Sequence, residues 1–187
     1  MKTKNKNKMW RVMTPVAALV LATTALAAPD PANKGRDGNA DGIGTLSQIT
    51  SQVGKYPHPK SEFFKSACLL TELQRILGPD YKAYREHLSQ SGAGMLEKEG
   101  DYVSGDVSQL HVGGYSSLFY VDPKNEKIYL FWLKKSVSEK EYQIYGDGPI
   151  PAAVLSSIAK RMNQTWGHVA TFKFAGERLV IEDAKKK

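Results

Sequence analysis

The chain has a single cysteine, Cys68, among its 187 residues. No disulfide can therefore form within one molecule, even in a compartment that permits one. Cys68 stands in the apolar stretch ACLLTEL, where a lone thiol behaves as a small buried hydrophobe. A nucleophilic cysteine needs an electropositive, partly exposed setting, so Cys68 reads as a core residue. Long apolar runs are missing too: the run at 16–21 is too short to span a bilayer.

Histidine is scarce. His58, His87, His111 and His168 are the four present, and no two stand at a metal-binding spacing such as HExxH. There is no GxSxG elbow, no phosphate-binding P-loop and no cofactor motif, so neither an enzyme nor a cofactor is expected. His87, at the end of a helical stretch, and His168, before a strand, read as surface residues. Glu97 and Glu99 flank Lys98 in a turn-like stretch and read as solvated.

The formal charge of +7 suggests nucleic acid until its distribution is followed. Lys2, Lys4, Lys6, Lys8 and Arg11 all precede the run at 16–21, and Ala25, Leu26 and Ala27 follow it. A charged start, a short apolar centre and a small-residue cleavage site make a secretory signal peptide over 1–27. Cleavage after Ala27 leaves 21 basic against 19 acidic side chains, a net charge of +2. Lys185, Lys186 and Lys187 form a short basic tail, so the body is close to neutral and no basic patch for nucleic acid survives. No cysteine stands directly after the apolar run to carry a lipid anchor there. The expected product is exported, periplasmic and without a membrane anchor.

Residues 28–60 are rich in Pro, Gly, Asn, Asp and Ser and read as a flexible N-terminal segment. Within it Leu46, Ile49 and Val53 have the spacing of one short helix. Asp37, Asn39 and Asp41 followed by Gly42 match the opening of a calcium loop, in which alternate oxygens surround the ion. The twelfth position is Gln48, which cannot supply a bidentate carboxylate, and no helix leads in. No metal site is expected there; a calcium-responsive cell-envelope accessory protein is the alternative class.

From Ser61 the chain looks folded, and the domain is expected over 61–184. Ser61 stands as the N-cap of a helix over 61–77 with Phe63, Ala67, Leu70, Leu73 and Leu77 in one stripe. Gly78 and Pro79 end it. A second helix over 79–89 carries Tyr81, Tyr84 and Leu88. Beyond 101 the period becomes two. DYVSGDVSQLHV reads as two short strands or a hairpin around Gly105. SSLFYVD and KIYLFWLKK read as strands joined by the turn PKNE. Both faces of KIYLFWL are apolar, as in a central strand covered on both sides. KEYQIYG adds a strand, 151–162 a helix with Val154, Leu155, Ile158 and Met162 inward, and VATFKF with RLVIED a closing hairpin. The fold class is α+β, an antiparallel sheet with helices packed against it.

The stretch LGPDYKAYREHLS, continued by GDYVSGDVSQLHVGGYSSLFYVDPKNEKIYLFWL, resembles periplasmic proteins of the inhibitor of vertebrate lysozyme (Ivy) family. The resemblance covers roughly residues 70–133. It implies that the loop Ser108, Gln109, Leu110, His111, Val112, Gly113 and Gly114 is the partner-binding site, with His111 entering a lysozyme cleft and meeting its two catalytic carboxylates. An imidazole suits that role because it donates hydrogen bonds and, once protonated, adds charge attraction. Family loops run Cys-x-Pro-His-x-Cys-Gly. Here Ser108 and Gly113 replace the two cysteines and Leu110 replaces the proline, so the crosslink that stiffens the loop is gone. The partner implied is lysozyme or another peptidoglycan hydrolase; an endogenous or competitor hydrolase would make the protein an immunity-type factor.

Overall fold

The computed structural model describes residues 40–58, 60–109, 116–135 and 141–183. Residues 1–27, the expected signal peptide, lie outside them, as do Leu110–Gly114 of the loop. Among the described residues no helix is long and apolar enough to cross a membrane.

The architecture is α+β, as the alternation of helical and two-residue periods predicts. The helices are α1 (Ala67–Leu77), α2 (Tyr81–Ser89) and α3 (Ala152–Trp166). The strands are β1 (Ser91–Ala93), β2 (Glu97–Glu99), β3 (Tyr102–Gln109), β4 (Ser116–Asp122), β5 (Lys127–Leu133), β6 (Tyr142–Tyr145), β7 (Ala170–Ala175) and β8 (Arg178–Asp183). The main sheet is antiparallel in the order β1-β3-β4-β5-β6, and β2 also pairs with β3; β7 and β8 form a separate hairpin.

β4 and β5 are buried on both faces because their side chains alternate into two cores. Phe119, Val121, Ile128, Leu130 and Trp132 face one side, with Leu69, Leu73 and Leu77 of α1 and Tyr84 and Leu88 of α2. Leu118, Tyr120, Tyr129, Phe131 and Leu133 face the other, with Val154, Ile158 and Met162 of α3 and Phe172 and Leu179 of the second hairpin. This is the period of two in KIYLFWL made physical: one strand supplies both cores. The PKNE turn joins the strands as expected. Asp122 Oδ1 accepts the Lys124 and Asn125 backbone N–H groups, and Glu126 takes a φ of 51°.

Three expectations are corrected. The described part of the segment 28–60 is not a flexible linker: from Ala40 it joins the core, with Ala40, Ile43, Leu46 and Ile49 buried against α1 and the sheet. Leu46–Gln52 is a 3₁₀ helix. Its short apolar side chains need the sheet face to cover them, so composition alone reads as a linker.

The helix expected over 61–77 begins later. A 3₁₀ turn at Phe63–Lys65 is followed by extended backbone at Ser66, and α1 starts at Ala67 with Leu69, not Leu70, in the core. The cause lies outside the helix. Ser66 Oγ accepts the Ile43 N–H at 2.8 Å and donates to the Glu62 carbonyl at 3.1 Å, which docks the N-terminal segment and breaks the helical run.

Residues 102–109 are one strand, with no turn at Gly105. A Cβ there would fall 2.5 Å from Phe119 Cζ and 2.9 Å from Leu96 Cδ2. Gly105 lets Phe119 lie across β3.

Candidate partner-binding site

β3 and β4 pair with Val107 opposite Ser117 and Ser108 opposite Ser116. Residues 110–115 therefore connect the strands at one end of the central hairpin. Of the expected site residues, Ser108 and Gln109 are described; Leu110, His111, Val112, Gly113 and Gly114 lie outside the described residues. Ser108 is exposed. Gln109 pairs with Ser91 of β1, and its Nε2 donates to Gln90 Oε1 at 3.0 Å.

A cleft of about 430 Å³ runs from that end of the hairpin along α3. Ser108 and Ser116 line it beside Gln164, Thr165 and Trp166, and Glu97, Glu99 and Arg161 line its other end. The glutamates are not idle solvated groups. They lie on β2, and Arg161 donates to both, with Nε 2.7 Å from Glu99 Oε1, and also to Ser104 Oγ at 2.9 Å. Tyr120 donates to Ser157, which donates to Glu99. Burial pushes the Glu99 carboxyl upward, but the hydrogen bonds from Ser157 and Arg161 outweigh it and hold the group below its ordinary value. Asp106, on β3 in the same cleft, is pushed up by burial.

Beneath the hairpin, on its other face, sits His87. It is not the surface residue its place at the end of a helical stretch suggests: only 5% of it is exposed. Its ring packs 5.7 Å from Tyr84 and 5.8 Å from Trp132. Nε2 lies 3.5 Å from Ser117 Oγ, which also meets Tyr84 Oη at 3.1 Å, and the imidazole is hydrogen-bonded to the Val107 backbone. Burial lowers its pKa to about 4, so the ring is neutral at ordinary pH. The sequence did carry a signal. Tyr84, His87 and Leu88 are spaced i, i+3, i+4, which sets the imidazole on the apolar face of α2. His168 is exposed, as expected.

Cys68 is only half-buried, with Sγ 3.3 Å from the Ile43 carbonyl oxygen. Burial raises its pKa, the opposite of what a nucleophile requires. At the candidate calcium stretch, Asp37 and Asn39 lie outside the described residues. Asp41 lies 3.9 Å from Lys55, and Gln48 Oε1 accepts the Gly44 N–H. Among the described residues no group of three or more His, Cys, Asp or Glu could hold a metal ion.

The family model for the inhibitor of vertebrate lysozyme (Ivy) matches residues 69–164. That span is half of the chain and runs from α1 into α3. The chain belongs to the Ivy family. No curated protein and no solved structure matches it. The matched span contains the whole main sheet and the 108–114 connection, so the likeness reaches beyond 70–133 through β6 and most of α3. A lysozyme-inhibitor-like function follows from the family, and it is a function of binding.

Proposed function

We propose that this Ivy-family protein is exported to the periplasm and blocks the cleft of a peptidoglycan hydrolase with its 108–114 loop, His111 meeting the catalytic carboxylates. One observation carries the reading. Ser108 pairs with Ser116 at the end of a hairpin whose second strand, β4, is buried on both faces, within the span that matches the family. A connection on so rigid a support is presented to a partner at little cost in order. Catalytic carboxylates of a hydrolase cleft attract an imidazole, which supplies N–H donors and, when protonated, charge.

The near-neutral body of the mature chain leaves electrostatic steering weak for a strongly basic lysozyme. An endogenous or competitor hydrolase is then as good a target as a c-type lysozyme, in the manner of an immunity factor. The assay is lysis of peptidoglycan with and without the mature protein. Inhibition is expected, and His111→Ala should weaken it about ten- to a hundredfold, the worth of a charge-assisted contact at a buried interface. Its melting temperature should stay unchanged. Unaltered inhibition by His111→Ala would overturn this reading.

A further inference from the structure

With Cys68 the single cysteine, no disulfide can close the 108–114 loop, yet the hairpin that carries it is fastened from below. We propose that the C-terminal end of α2, through His87 and Gln90, positions the root of the 108–114 loop, which no disulfide constrains. The inference rests on the reading of that loop as the partner-binding element.

The contacts converge on one register position and on the residue that leaves the strand beyond it. Val107 and Ser117 are the pair just before the closing pair Ser108 and Ser116, and His87 reaches both: the backbone of Val107 and the hydroxyl of Ser117. Tyr84 holds Ser117 from the same helix. One step further out, Gln109 is tied to Gln90 by its side chain and to Ser91 by strand pairing. The backbone carrying these groups is itself pinned: Ser91 Oγ donates to the His87 carbonyl at 2.6 Å, and the Gln90 N–H donates to it at 3.2 Å.

A hairpin end is where strand pairing frays first. Three tethers from one helix end, reaching β3 and β4 both, remove that freedom from the residues that flank the loop. A disulfide across the loop would do the same by covalent means. His87 suits the task because an imidazole can pack against Tyr84 and Trp132 while still offering a hydrogen bond to each strand. A phenylalanine would fill the space and make neither bond.

The test is backbone amide exchange of the free mature protein, together with its affinity for c-type lysozyme. His87→Phe should speed exchange at Val107, Ser108, Ser116 and Ser117 at least tenfold while Leu118–Val121 and Ile128–Phe131 are unchanged. Gln109→Ala, a partly exposed change with little folding risk, should act in the same direction more weakly. Both should weaken lysozyme binding. Adding Ser108→Cys with Gly113→Cys should restore it when oxidised and not when reduced. Unchanged exchange at the root, acceleration shared equally by the β4–β5 pair, or no rescue by the crosslink would each overturn the proposal. The exchange measurement needs no hydrolase. If wild type fails to bind c-type lysozyme, that target falls; if His111→Ala binds as well as wild type, the loop reading falls by itself; in both cases exchange still decides the role of His87. If His87→Phe does not fold, the Gln109→Ala pair of variants decides.

Discussion

Arg161 and Glu99 join α3 to the edge of the main sheet, Nε to Oε1 at 2.7 Å, across sixty-two positions of sequence. The guanidinium also holds Glu97 and Ser104, and its side chain is only 15% exposed. The pair ties the second core to the short strand β2, which among the described residues pairs with β3 alone.

Arg161→Ala should therefore cost about 2–3 kcal/mol in urea unfolding, because it leaves the carboxylate of Glu99 partly buried without its cationic partner. The double variant Arg161→Ala with Glu99→Gln should lose less than the two single changes combined, since the stranded charge is gone. Additive losses would show that the two side chains do not interact.

At Gly105 any side chain collides with Phe119 and Leu96. Gly105→Ala should destabilise by about 1–3 kcal/mol, as overpacking does. Phe119→Leu in the same molecule should recover part of it. A neutral Gly105→Ala would mean that Phe119 can move aside freely.

His87 makes stability depend on pH. Burial lowers its pKa to about 4 in the folded chain, against 6.5 for the exposed group. Between those values the unfolded chain binds the proton and the folded chain does not, so stability falls as pH falls. The contribution is complete above pH 6.5 and lost once pH drops through about 4. Its slope is about 1.4 kcal/mol per pH unit, about 3 kcal/mol in all. Urea midpoints measured from pH 7 to 4 should show this slope in wild type and a shallower one in His87→Phe. Equal slopes would place the imidazole in water.

Ser66 tests whether residues 40–58 are part of the folded domain. Its Oγ accepts the buried Ile43 N–H, so Ser66→Ala leaves that donor unsatisfied, a loss of about 1–3 kcal/mol. Limited proteolysis should cut wild type before Ala40, and Ser66→Ala should admit additional cuts between 43 and 56. Rapid cleavage throughout 40–58 in wild type would return the segment to a linker.

Much of the sheet could be read from residues alone. The two-residue alternation in SSLFYVD and KIYLFWL and the PKNE turn predict β4, β5 and their hairpin, and the structure has them where the pattern puts them. The inward residues of α3 were equally legible, because Val154, Leu155, Ile158 and Met162 are all buried. Less could be read of the site. The Ivy likeness pointed to the 108–114 loop, but nothing local revealed that α2 lies under its root.

The sequence by itself determined the elements whose physics is local: a helix or strand whose apolar period matches its own geometry, and a turn whose residues prefer its backbone. Only the tertiary structure decided the rest. Whether Ile43 and Ile49 are linker or core depends on a distant sheet face being there to cover them. Whether Gly105 is a turn or a clearance for Phe119 depends on a strand fourteen residues away. Whether Glu99 is solvated or held depends on Arg161, and whether His87 is a surface group or a tether depends on Ser117. Each of these is a pairing across the fold, and its free energy exists only once both partners have been brought out of water together.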